Sequence, residues 1–176
     1  MALLNFFGQP FGSILQVAYT VADIEKAMAS YLDQMIIGPW FVRGPFTPQG
    51  LYRGKPSEVR MTIALAFSGH VMHELIQQHN DVPSVYREMI DKRGHGFHHW
   101  GVASTEFDRD CEAYCRRGCQ VAYSDTSPGS RVTYFDSRDL PGMIEVIEMD
   151  EARERRYTRM YVESLAWDGS EPIRVF

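Results

Sequence analysis

Two stretches of this chain run through the same order of local patterns, and that duplication limits the fold more than any other feature. Residues 14–21 alternate in a β-branched, strand-like way, and Ala22-Asp23 follow as a helix start and cap. From Ile24 onward, Ala27, Met28, Tyr31, Leu32 and Met35 recur at three- and four-residue spacing, which predicts an amphipathic helix ended by Gly38-Pro39. Three extended stretches come next, over 40–43, 58–67 and 71–77, the last two joined by a turn at Ser68-Gly69. The second half reads the same way. A strand over 97–103 leads into a helix over 107–117, opened by Thr105 or Glu106 and stopped by Gly118. Strands over 121–124, 132–136 and 143–149 follow, separated by Ser127-Pro128-Gly129 and by Pro141-Gly142.

Laying Gln16 on His99 brings Tyr31 onto Tyr114 at the same offset of 83, whereas Glu74 falls on Glu145 at an offset of 71. The second copy is therefore about twelve residues shorter in its middle. A unit this long is not a solenoid repeat, and two copies predict fused halves that face each other. The expected fold class is α+β: a single domain over 1–176, with βαβββ modules at 13–80 and 97–149. A linker at 81–96 carries a short helical pattern in Val85, Met89 and Ile90. Over 150–176, Tyr157, Met160, Tyr161, Val162 and Leu165 share one side of a helix that stops at Trp167-Asp168-Gly169. That helix is expected to pack on a module or on a partner chain.

Side chains alternate faces along a strand, so Glu74 shares a face with Met72 and Ile76, and Glu145 with Met143 and Ile147. A carboxylate on an apolar face needs a cation, a strong hydrogen-bond partner or a raised pKa. Gln16, beside Ile14 and Ala18, and His99, beside Phe97 and Ala103, are out of place in the same way at the equivalent point of each first strand. A lone strand Glu is ordinarily solvated and a lone His ordinarily a hydrogen-bonded core residue. Four at matched positions predict a shared polar site that can hold a metal.

Other candidates are weaker. His73-Glu74 begins like HExxH, but position 77 is Gln and the run reads as strand. His98 should point away from His99, as a surface or hydrogen-bonding residue, and His70, His79 and His95 lie near turns where exposure is expected. Cys111, Cys115 and Cys119 are spaced for one helical face and read as reduced and structural. A net charge of −5 gives no general attraction for nucleic acid or an anionic membrane, and no apolar run is long enough to span a bilayer. With no signal-like N-terminus, the expected setting is cytoplasmic and the expected partner a small molecule, with no nucleic acid and no membrane. No phosphate-binding glycine loop and no nucleophile-elbow motif occurs.

Gln16-Val-Ala-Tyr-Thr-Val-Ala-Asp23, Gly38-Pro39-Trp40, His73-Glu74-Leu-Ile-Gln77, Gly96-Phe-His-His99-Trp-Gly-Val and Pro141-Gly-Met-Ile-Glu145 together resemble the glyoxalase, bleomycin resistance and dioxygenase (vicinal oxygen chelate) superfamily. Among its members, the pattern is most similar to glyoxalase-like and methylmalonyl-CoA epimerase-like proteins. The resemblance implies a paired half-barrel with a cleft, formed within one chain or across a homodimer. It also implies a divalent ion (Zn, Ni, Co, Mn or Mg) held by Gln16, Glu74, His99 and Glu145. Metal-binding members most often carry His where this chain has Gln16, and an amide oxygen is a neutral ligand in its place. An iron dioxygenase would want two histidines and one carboxylate at 16, 99 and 145, which Gln16 interrupts.

The expected activity is that of a metal-dependent isomerase, epimerase or lyase removing a proton next to a carbonyl, with Glu145 first and Glu74 second as base. A thioester or a glutathione adduct would be a natural substrate. Arg43, Arg53, Lys55, Arg60, Arg131 and Arg138 are then candidates for its anionic groups, against a default of solvated surface. The alternative is a non-catalytic binder of the bleomycin-resistance kind, its cleft lined by Trp40, Phe41, Phe46, Tyr52 and Trp100. A ring-cleaving dioxygenase ranks below both.

Overall fold

The patterns above become fifteen elements in the computed structural model, which describes residues 12–125, 127, 131–136 and 138–176. The first half runs β1 (Ile14–Thr20), α1 (Ile24–Met35), β2 (Trp40–Phe46), β3 (Gly50–Tyr52), β4 (Lys55–Pro56), β5 (Met61–Ser68) and β6 (Val71–Gln78). After α2 (Val85–Arg93), the second half runs β7 (Gly96–Ser104), α3 (Phe107–Arg116), β8 (Gln120–Asp125), β9 (Val132–Asp136) and β10 (Met143–Glu148). The chain ends in α4 (Glu151–Leu165) and β11 (Ile173–Val175). The α1 pattern is realised as read: Asp23 caps it by accepting from the Lys26 amide, and Gln77 Oε1 accepts from the Ile24 amide at 3.0 Å, fixing the helix start to β6. Glu106, one of the two expected openers, is the N-cap of α3. Of the expected turn at Ser127-Pro128-Gly129, positions 128 and 129 lie outside the described residues.

All strands join one sheet in the order β11-β2-β5-β6-β1-β7-β10-β9-β8-β3-β4. The halves meet at its centre, where β1 pairs antiparallel with β7, while each pairs in parallel with the last strand of its own half. The surplus of about twelve residues in the first copy is the β3–β4 hairpin, whose strands of three and two residues are too short to show an alternation. Its placement forces a curl. β3 pairs with β8 of the second half, eight inter-strand steps from β2, a distance of about 38 Å across a flat sheet. The chain from Phe46 to Gly50 reaches at most about 14 Å. The sheet must therefore bend until its two ends approach, leaving a concave interior.

Alternation assigns the faces. Outside, Ala64 and Ala66 on β5 leave room for Met28 of α1 and for Trp40, with Leu75 beneath. On the other half, Phe107 of α3 covers Phe135 and Val146. Cys111 and Cys119 pack against this second layer and are free thiols. Inside, Ala18, Met61, Ile76, Tyr134 and Met143 form the apolar lining with Tyr86 of α2. The helix α4 packs on the same chain: Met160 and Tyr161 sit with Phe41, Leu65 and Phe67. Among the described residues no helix is long and apolar enough to cross a membrane.

Candidate metal centre and its cavity

Four adjacent strands at the centre of the sheet, β6, β1, β7 and β10, each aim one polar side chain inward: Glu74, Gln16, His99 and Glu145 in that order. Register explains why they fit. Ala18 lies between Glu74 and His99, and Gly101 lies between Gln16 and Glu145, so large polar and small side chains alternate across the floor. A Cβ on Gly101 would stand 2.8 Å from that of Gln16 and 2.9 Å from Ile147 Cδ1. These two small residues occupy equivalent places in the two copies, two positions beyond Gln16 and His99. That spacing was available in the sequence as a signal for the site.

The four groups converge. Gln16 Nε2 lies 2.7 Å from Glu74 Oε2, 3.4 Å from Glu145 Oε2 and 3.2 Å from His99 Nε2. His99 Nε2 lies 3.1 Å from Glu145 Oε2 and 3.4 Å from Glu74 Oε2. The imidazole and both carboxylates offer ligand atoms within 4.8 Å of one another. A half-turn of the Gln16 amide exchanges its nitrogen for its oxygen at this centre. The set then comprises three oxygen donors and one nitrogen, a mixture suited to a borderline or hard divalent ion, with no thiolate to favour a softer one. Burial disfavours a charged His99, but Glu145 and Glu74 outweigh it and raise the imidazole to about 9. Burial likewise raises the Glu74 carboxyl; His99 opposes that shift and the Glu145 charge adds to it. Two buried carboxylates thus hold a proton on His99 where a cation would serve.

His98 is a hydrogen-bonding residue, one of the two roles expected of it, but it does not point away from His99. It is fully buried rather than at the surface, and the register of β7 against β1 slips by one residue here, between the Ala18–His99 and Tyr19–Phe97 pairs. The bulge turns His98 toward its neighbour, so that the two Nδ1 atoms lie 2.8 Å apart. His98 Nε2 faces the Val85 carbonyl at 3.1 Å, which can only accept, so Nε2 carries the hydrogen. Burial and the adjacent His99 push the His98 pKa down to about 3, leaving Nδ1 bare to accept from His99 Nδ1–H. His99 therefore presents Nε2 to the centre, the tautomer a metal ligand needs. Replacing His98 by Leu leaves a buried N–H unpaired, and is expected to weaken divalent-ion binding by about 10–100-fold, read by isothermal titration. Binding within twofold of wild type would reject this orienting role.

The floor opens into a cavity of about 340 Å³. Of the aromatics expected to line it, Phe46 does so. Trp40 and Phe41 are instead buried in the outer layer and under α4, Trp100 packs at a tilt against Phe97, and Tyr52 bonds Glu88. Tyr86, Tyr123, Tyr134 and Tyr157 form much of the wall in their place. Of the expected cations, Arg43 lines the cavity. Arg53 is paired with Glu88 and Asp136, and Arg131 with Asp108 and Glu148. Lys55, Arg60 and Arg138 are exposed, as are His70, His79 and His95. The reading missed Arg153 and Arg156 of α4, which share a helical face with Tyr157. The linker also contributes more than a connection, through Val85 and Tyr86.

The family model described as the Glyoxalase/Bleomycin resistance protein/Dioxygenase superfamily matches residues 15–135. No curated protein matches the sequence. Among solved structures, a hypothetical protein from Bacillus halodurans is similar at 18% identity and a TM-score of 0.57, covering 80% of this chain and 96% of its own. Methylmalonyl-CoA epimerase from Mycobacterium tuberculosis is similar at 19% identity and a TM-score of 0.55, covering 82% and 91%. The Streptomyces coelicolor epimerase bound to 2-nitronate-propionyl-CoA is similar at 18% and 0.52, covering 79% and 98%. At these identities the likeness is one of fold.

Proposed function

Because the chain belongs to the glyoxalase, bleomycin resistance and dioxygenase superfamily, we propose that it is a metal-dependent isomerase, epimerase or lyase that removes a proton next to a carbonyl of a small molecule. The observation that carries this reading is the convergence of Gln16, Glu74, His99 and Glu145, three of which, Gln16, Glu74 and Glu145, line a cavity wide enough for a small substrate. These four residues would hold a divalent ion, which when bound supplies a Lewis acid for the carbonyl oxygen and for enolate charge. Glu145 takes the proton. A carboxylate that both ligates and accepts a proton must swing away from the centre. Glu74 stays in place as the fixed carboxylate, and the tyrosine wall keeps bulk water from the carbanion.

Metal titration tests the reading. About one divalent ion per chain is expected to bind, releasing the His99 proton as it does so. The pH dependence has a definite sign. A His held above its ordinary 6.5 stabilises the metal-free fold fully below that value, and this contribution is lost as pH rises through about 9. The difference in Tm between Mn²⁺-loaded and EDTA-treated protein is therefore expected to widen from pH 6.5 to 9. A constant or narrowing difference would count against a metal centre at His99. The wall of Tyr86, Tyr123 and Tyr134 favours, as second reading, a non-catalytic binder of aromatic ligands, and failure to take up any divalent ion would select it.

A further inference from the structure

The acidic side chains lining the cavity already have partners, whereas among the described residues its arginines have no carboxylate partner. Glu74 and Glu145 face His99 and Gln16, and Asp125 accepts from the Ser127 amide. Arg153 is 5% exposed, and its guanidinium donates from Nη1 to the backbone carbonyls of Arg131 at 3.2 Å and Glu148 at 2.5 Å. Among the described residues no carboxylate pairs with Arg153, with Arg156 one turn further along α4, or with Arg43, which lies over the Phe46 ring at 4.3 Å. A buried guanidinium satisfied only by carbonyls retains its full charge, and a charge taken out of water calls for an anion. The planar fork of arginine matches an oxyanion, and two of them on one face of α4 aim into the same space.

Volume narrows the class further. A cavity of about 340 Å³ lies toward the small end of ligand pockets, which run to roughly 1,000 Å³, and suits a ring with a short chain. Besides the α4 arginines and the polar floor, the lining includes Phe46, Ile63, Tyr86, Tyr123 and Tyr134. We infer that the ligand of this cavity is a compact acid with an aromatic or apolar body, its carboxylate held by Arg153 and Arg156 and its other end directed at Glu145. The direction of the second end rests on the function proposed above; the anion subsite does not.

The test uses the full chain and four probes: 4-oxo-4-phenylbutanoate, its methyl ester, phenyl phosphate and coenzyme A, each titrated by calorimetry into Mn²⁺-loaded and EDTA-treated protein. The acid is expected to bind about tenfold or more tighter than the ester, a difference of about 1.4 kcal/mol or more. Arg156→Gln should cut that preference several-fold, Arg156→Lys should restore part of it, and Arg153→Gln should remove most of it. Should Arg153→Gln fail to fold, the Arg156 pair decides alone. Equal binding of acid and ester, or a preference untouched by the Arg156 substitutions, overturns the subsite. Tighter binding of phenyl phosphate than of the acid overturns the carboxylate assignment, and coenzyme A competing as strongly as the acid overturns the compact body. Arginine-dependent preference in a protein that takes up no metal rejects the metal reading alone; metal uptake without that preference rejects this inference alone.

Discussion

Replacing Glu145 by glutamine is expected to slow solvent-deuterium exchange into an enolisable keto acid by about 10²–10⁴-fold, the usual contribution of a positioned general base. The substitution keeps the shape of the side chain and a neutral oxygen donor, so the fold and a weakened metal site should survive, as checked by circular dichroism and metal titration. Loss of exchange with the ion still bound isolates the proton transfer from the ligand role. Exchange at the wild-type rate would reject Glu145 as the base and move attention to Glu74, whose own glutamine variant serves as the parallel measurement.

The second large effect concerns stability. Trp40 and Phe135 are fully buried on the outer faces of opposite halves, Trp40 under α1 and Phe135 under α3. Truncating either to Ala should cost about 3–5 kcal/mol. For a chain of this length that corresponds to a Tm lower by roughly 6–20 °C. Because β1 and β7 pair at the centre of one continuous sheet, each variant should shift the same single transition. Two separate transitions by calorimetry, one retained in each variant, would show that the halves fold independently.

Much of this architecture was legible because strand parity and helix periodicity are local. Glu74 and Glu145 betrayed themselves by sitting on apolar faces, and the 83-residue offset tied Gln16 to His99 before any contact was known. What stayed hidden depends on non-local pairing. The β3–β4 hairpin and β11 are too short to carry a pattern and exist through their pairing with β8 and β2. The turn of His98 toward His99 comes from a one-residue slip against β1, which no single strand records. The aromatic cavity wall was misassigned because burial against a helix and burial around a cleft look alike in sequence. Arg153 and Arg156 were discoverable, since they extend the same helical face as Tyr157 and Met160, but an arginine on a helix reads as solvated until the helix is seen to cross a cavity.

The bridging hairpin belongs to one copy only, and this has a stereochemical consequence. A floor built from duplicated strands is nearly the same when viewed from either half, so by itself it would treat the two sides of a planar enolate alike. The lining above it is unmatched: Thr47, Pro48 and Gln49 enter it from the loop before β3 in the first copy, and Arg153 and Arg156 from α4 after the second. On the function proposed above, a prochiral molecule would meet different surroundings at its two faces, and the stereochemistry of deuterium incorporation reads that asymmetry.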